Sequence, residues 1–173
     1  QYFYTGMDTY IHCIESLKGR HRHPIADAFS EEALLLSKTV FGSADMQSSE
    51  NREKLMVASY LGGCAIANSY VGLVHPLSAG LSTVLNIHHG LANCLIMNVM
   101  EEFYPEETSE FHEFVKKQGV ELPKGITARL NEEGFDRLYK SSIIHEKPLI
   151  NALGEDFKKI LTRSKVIEIF ERI

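Results

Sequence analysis

The sequence predicts an all-α chain, on three observations. Apolar residues recur at helical intervals in segment after segment, no stretch alternates apolar and polar residues as a half-buried strand would, and glycine or proline marks most of the segment ends. No βαβ rhythm and no internal repeat interrupts that pattern. The length of 173 residues suits one helical domain spanning 1–173, either whole or cut from a longer protein. The chain opens on Gln1 rather than Met, so a natural start upstream is expected.

The elements follow in order. Asp8 and His12 stand at i and i+4, which on a helix projects both side chains from one face, about 6 Å apart. Pro24 fits the first turn of a helix in which Ile25, Ala28, Phe29, Leu35, Leu36 and Val40 recur until Gly42. Ser48 and Ser49 offer caps for a helix running on from Glu50. Leu91–Phe103 is apolar nearly all round, as in a helix buried on several sides, and Pro105 follows it. Phe111–Lys117 reads as a helix closed by Gly119 and Pro123. Phe135–Ile144, Leu149–Leu153 and Lys165–Ile173 complete the set, with Gly125, Gly134 and Gly154 as punctuation.

Composition narrows the function classes. Apolar residues make up 44% and the net charge is −5, an ordinary globular balance with no basic stripe to neutralise nucleic-acid phosphates. Cys13, Cys64 and Cys94 are odd in number and lack CxxC spacing, which argues against a disulfide framework and a cysteine zinc site. A reducing compartment, the cytoplasm, is expected. From Leu55 to Met100 there is no Asp, Glu, Lys or Arg at all. Leu55–Val74 is long enough to span a bilayer, yet it contains Gly62, Gly63, Asn68 and Ser69 and lacks flanking basic clusters. No membrane span is expected. The uncharged run reads as a buried central pair of helices, and its histidines should lie in or near the core.

The eight histidines are where chemistry is to be sought. His75 and His89 are fourteen residues apart. On one straight helix that is about 21 Å, too far for one ion with bonds near 2.1 Å. Pro76, Gly80, Asn86 and Gly90 can each break or redirect a helix, so a helix ending near His75 and another starting near His89 would let the imidazoles converge. Gly90 would also admit a second backbone close by. Two satisfied core histidines are the alternative. With Asp8 and His12 added, one carboxylate and three neutral imidazoles around a dication leave a net charge near +1. The core holds nothing else to offset it, which favours a bound hydroxide or alkoxide. Such ligands suit iron, zinc, manganese or nickel.

The segment TGMDTYIHCIES, Thr5–Ser16, resembles the D-A-x-x-H-A-x-E segment of the iron-containing (group III) alcohol dehydrogenases. GLVHPLSAGLSTVLNIHHGLAN, Gly72–Asn93, resembles that family's second signature, G-x-x-H followed fourteen residues later by H-G. HPIADAFSEEAL, between them, resembles the connecting helix with its N-P-x-x-D-A-x-A pattern. The resemblance implies a helical C-terminal domain of the dehydroquinate-synthase-like type that holds one divalent metal, iron or zinc, on Asp8, His12, His75 and His89. It further implies an N-terminal domain binding NAD or NADP, whose glycine-rich loop this chain lacks. The fragment alone is therefore expected to be inactive, and a homodimer is expected of the full protein.

Two departures stand out. Many members place a histidine four residues after the third ligand, where this chain has Ala79. His88 stands where a proline commonly precedes the last ligand, and it is the candidate acid–base group or else a turn-bonding residue. The segment around His75 and the ending IIHEKPLINALGEDFKKILT resemble a branch that oxidises the terminal hydroxyl of 3-deoxy-manno-octulosonate for lipopolysaccharide sugar synthesis. The substrate implied is thus a small alcohol or a sugar acid. Elsewhere, His21 and His23 form a basic loop, and Asp27 can pair with Arg20 or Arg22. His112 reads as surface, His145 as a helix end, Cys13 as facing away from His12, and Met97 and Met100 as core. A 3-dehydroquinate synthase-like lyase and a self-contained helical metal-binding module remain as alternatives. The first uses a glutamate and two histidines, against which the D-x-x-x-H pair argues.

Overall fold

A computed structural model describes residues 1–173 as ten helices without a strand, as the periodicity predicts. They are α1 (Tyr2–Lys18), α2 (Pro24–Gly42), α3 (Ser49–Asn68), α4 (Val74–Leu85) and α5 (His89–Met97), followed by α6 (Pro105–Lys117), α7 (Glu132–Ile143), α8 (Glu146–Leu153), α9 (Phe157–Ile160) and α10 (Arg163–Glu171). Ends marked by local chemistry fall where expected. Pro24 opens α2, Gly42 closes it, and the Ser48 side chain accepts the Asn51 N–H at the start of α3. Ends inferred from apolar residues alone come out short. Helix α7 starts three residues before Phe135, because Asn131 caps it by accepting the Gly134 N–H at 2.9 Å. Thr162 does the same for α10, and Pro105 opens α6 well ahead of Phe111. Polar first turns carry no apolar period, so apolar spacing locates a helix late. In the other direction, α5 stops at Met97, and Met100 O then takes the N–H groups of Phe103 and Tyr104 in a turn.

Helix α1 is the spine. Met7, Tyr10, Ile11 and Ile14 are buried on it, with α2 and α3 packed on one side and α5 on the other. A buried cluster of 30 residues continues from α1 through Leu77 and Leu81 of α4 and Leu95 to Met97 of α5, and on to Leu138, Leu149, Val166 and Phe170 of the later helices. The uncharged run is not one buried pair. Helix α3 packs through a narrow stripe of Leu55, Ala58, Gly62 and Ala65 and leaves Met56 and Tyr60 69% and 72% exposed. His88 and His89 are exposed too, and only His75 is largely covered. Missing charge marks a face that needs no ion, and a lack of ions does not by itself bury it. No helix is long and apolar enough to cross a membrane.

The two signature histidines meet by a route different from the one expected. A helix begins at His75, the second residue of α4, instead of ending there. Gly80 lies inside α4, where a Cβ would meet Ser142 Oγ at 2.3 Å, so it serves the packing of α4 on α7. The redirection happens at Asn86, which takes the left-handed conformation at φ 54°, and α5 then starts at His89. Gly90 behaves as its residue type predicts. A Cβ there would lie 2.7 Å from the Tyr4 carbonyl oxygen, so α5 crosses α1 backbone to backbone. Gly90→Ala should therefore lower stability by about 1–3 kcal/mol, since main chain cannot yield as a side chain can. Urea denaturation checks this, and an unchanged midpoint would refute the close crossing.

Candidate metal centre

Helix α1 presents Asp8, His12 and Glu15 at i, i+4 and i+7, along one face. The first turn of α4 supplies His75, and the first turn of α5 supplies His89, with Asn93 one turn on. The point of convergence is one atom, Asp8 Oδ1. It lies 3.2 Å from His75 Nε2, 3.4 Å from His89 Nε2 and 3.5 Å from His12 Nε2. Four ligand atoms held tetrahedrally on bonds near 2.1 Å sit about 3.4 Å from one another. The distances of the three imidazoles from Asp8 Oδ1 are of that size. Asp8, His75 and His89 form the tightest set, their ligand atoms all within 4.8 Å of one another. His12 joins through Asp8 and stacks on the His75 ring, with centroids 4.7 Å apart and planes at 18°.

A second feature points the same way. The Asn93 Nδ2 donates to Asp8 Oδ1 at 2.6 Å and lies 3.1 Å from His89 Nε2 and 3.3 Å from His75 Nε2. The residue is buried, and its Oδ1 has no partner. Asp8 Oδ1 and two imidazole nitrogens thus crowd one amide NH₂, and lone pairs turned toward that point are served by a hydrogen donor such as this amide or by a cation.

The electrostatics depart from the expected balance. Glu15 is buried, one oxygen accepting the Val74 N–H and the other meeting His75 Nδ1. The core therefore does hold a second carboxylate, and the expected excess of +1 is offset nearby. Glu15 stands at the final E of the D-A-x-x-H-A-x-E pattern, and Asn93 ends the second signature segment, yet the resemblance names neither as a ligand. The signal available for each is position: Glu15 falls three residues after His12, and Asn93 four after His89. Burial drives the His12 imidazole down to about 4, helped by the charge of His75, which keeps it neutral as a ligand must be. Burial opposes the charging of His75 as well, but Glu15 and Asp8 outweigh it and lift His75 to about 9. Burial works against the Asp8 carboxylate, yet hydrogen bonds from His75 and His89 and the nearby imidazole charges hold it well below the usual range.

The other sequence candidates stay outside. His88 is exposed, its ring nitrogens 3.2 and 3.4 Å from Gln1 Nε2. Arg22 pairs with Asp27 at 2.8 Å, His23 Nε2 meets Asn68 O, and His21 packs edge-on against Tyr70. His112 meets Asn98 O at the surface, and His145 is the residue before α8. Cys13 is buried with Ala33 and Ala58, and Met97 and Met100 are core. A pH profile follows from the two shifted histidines. His75 binds its proton more tightly folded than unfolded, so its contribution is complete below pH 6.5 and lost as pH rises through about 9. His12 binds its proton less tightly when folded, so stability also falls as pH drops from 6.5 towards about 4. Chelator-treated protein should show its highest Tm near pH 6.5 and His75→Gln should abolish the decline above it; a flat wild-type profile would contradict both assignments.

Comparison with known proteins identifies the family. Residues 2–140 match the model of the Fe-containing alcohol dehydrogenase family, C-terminal. The chain is 35% identical over 98 residues to an NAD-dependent methanol dehydrogenase of Bacillus methanolicus, covering 54% of this chain and 25% of that protein. It is 27% identical over 136 residues to an NADPH-dependent butanol dehydrogenase of Clostridium saccharobutylicum, covering 78% and 34%. The solved iron-containing alcohol dehydrogenase of Thermotoga maritima superposes with a TM-score of 0.72 at 26% identity, over 97% of this chain and 47% of that one. The chain thus spans under half the length of each of these relatives. It belongs to the iron-containing alcohol dehydrogenase family, in the region of that family's C-terminal domain.

Proposed function

We propose that this chain is the metal-binding catalytic domain of an NAD(P)-dependent alcohol dehydrogenase that acts on a primary hydroxyl. The observation that carries the reading is the set of three imidazole nitrogens at 3.2–3.5 Å around Asp8 Oδ1. Asp8, His12, His75 and His89 would hold one divalent ion, iron or zinc. When bound, the ion supplies a Lewis acid that acidifies an alcohol hydroxyl and polarises the corresponding carbonyl.

The chain's own residues divide the remaining work. Asp8 gathers the three imidazoles, and the depressed basicity of His12 keeps its lone pair free at neutral pH. His89 is half exposed, so the centre opens to a substrate on the α5 side. His88 lies outside the ligand cluster, exposed and next in sequence to His89, and would exchange the hydroxyl proton with water. The nicotinamide cofactor would be bound mainly by an N-terminal nucleotide-binding domain, and the full protein would be a cytoplasmic homodimer. The methanol and butanol dehydrogenases support a small alcohol as substrate. The narrower reading, the terminal hydroxyl of 3-deoxy-manno-octulosonate, rests on the segments around His75 and Ile143–Thr162 alone, so that sugar acid belongs in the first substrate panel. The family match favours a dehydrogenase over the lyase and over a self-contained module.

Plasma mass spectrometry on the protein at its natural length should find about one iron or zinc per chain. Asp8→Ala with His75→Ala should lose it, and His89→Ala should lose tight binding while keeping its helical circular dichroism. Stoichiometric metal retained in His89→Ala would overturn the ligand set. With metal content unchanged, His88→Gln should slow turnover by about 10²–10⁴-fold. An unaltered rate would remove His88 from the chemistry.

A further inference from the structure

We infer that Glu15 is a positioning residue of the metal centre, setting the tautomer of His75 from inside the core; this rests on the proposed metal-binding reading. The Glu15 side chain is fully buried, and no Lys or Arg pairs with it. Carboxylates in such places are costly unless both oxygens are satisfied. Here the oxygens divide between two elements. Oε1 accepts the first N–H of α4, from Val74, where the preceding Leu73 offers no side-chain cap. Oε2 takes the hydrogen of His75 Nδ1. With Nδ1 as donor, the His75 Nε2 lone pair is directed at the point shared by Asp8 and His89.

A plain capping role would need only one acceptor. What marks Glu15 is the demand for two acceptors at once, which glutamine cannot meet. If a Gln oxygen accepts from Val74, its NH₂ faces His75 Nδ1 and favours the opposite tautomer, with hydrogen on Nε2. That hydrogen would then point where the ion belongs. The His75 ring has little freedom to evade this, since it is stacked on His12 and lies 5.5 Å from the His89 ring centroid.

The test uses zinc as the probe, on the protein at its natural length. Chelator competition should show Glu15→Gln binding zinc about 10–100-fold more weakly than wild type. Proton NMR of the zinc-loaded wild type should show a slowly exchanging His75 Nδ1–H that the variant lacks. Ser16→Ala, next to Glu15 on α1, removes a buried hydrogen bond to Ser69 at the end of α3 and should lower Tm but leave affinity and resonance intact. Wild-type affinity and an intact resonance in Glu15→Gln would overturn the inference while leaving the metal-binding reading standing. If Glu15→Gln does not fold, the wild-type resonance alone decides, and its absence overturns the inference. No zinc binding by the wild type would overturn both.

Discussion

A carboxylate sealed from water ties two helices and a ring together, and the site depends on that tie. Glu15 joins α1 to the first N–H of α4 and holds His75 by its far nitrogen. Removing it from the picture leaves α4 without a cap, His75 without a fixed tautomer and the core without its second negative charge. The rest of the centre is arranged around the same helix. Asp8 and His12 lie on the face of α1 that bears Glu15, and α5 is pressed against α1 at Gly90 so that His89 arrives opposite.

Helix starts shape the electrostatics. His75 and His89 both enter from first turns, where N–H groups outside the helical ladder and the helix dipole carry positive partial charge. Such ends suit anions, so a cation there requires compensation. Asp8 supplies it directly, and Glu15 supplies it at the end of α4. The raised basicity of His75 shows the same field acting on a proton. A proton and a metal ion would compete for His75 Nε2, which would couple the proposed metal binding to pH.

Much of this was legible in the chain. The all-helical class followed from helical period, the lack of strand alternation and the glycine and proline breaks, and the Asp8–His12 pair from its spacing on one helical face. Ser48, Pro24 and Gly42 marked ends correctly because capping is decided within a few residues. The close backbone crossing at Gly90 was readable because glycine beside a candidate ligand has few other uses. The uncharged run from Leu55 to Met100 misled, since α3 needs only a stripe of small residues to pack and leaves its other face to solvent. Glu15 and Asn93 lie inside the quoted signature segments, but their roles were not legible because they depend on contacts with distant helices.

The sequence by itself determined what is local: helices, their capped ends, and which side chains share a face of one helix. It also contained, in its resemblance to the iron-containing alcohol dehydrogenases, the membership that residues 2–140 bear out. Only the tertiary structure decided which faces meet. That His75 opens a helix, that Asn86 turns the chain, and that Glu15 reaches Nδ1 of a ring sixty residues away all depend on packing between distant segments. Short-range spacing carries no information about such pairings, because they form only when the buried faces of α1, α4 and α5 are brought together.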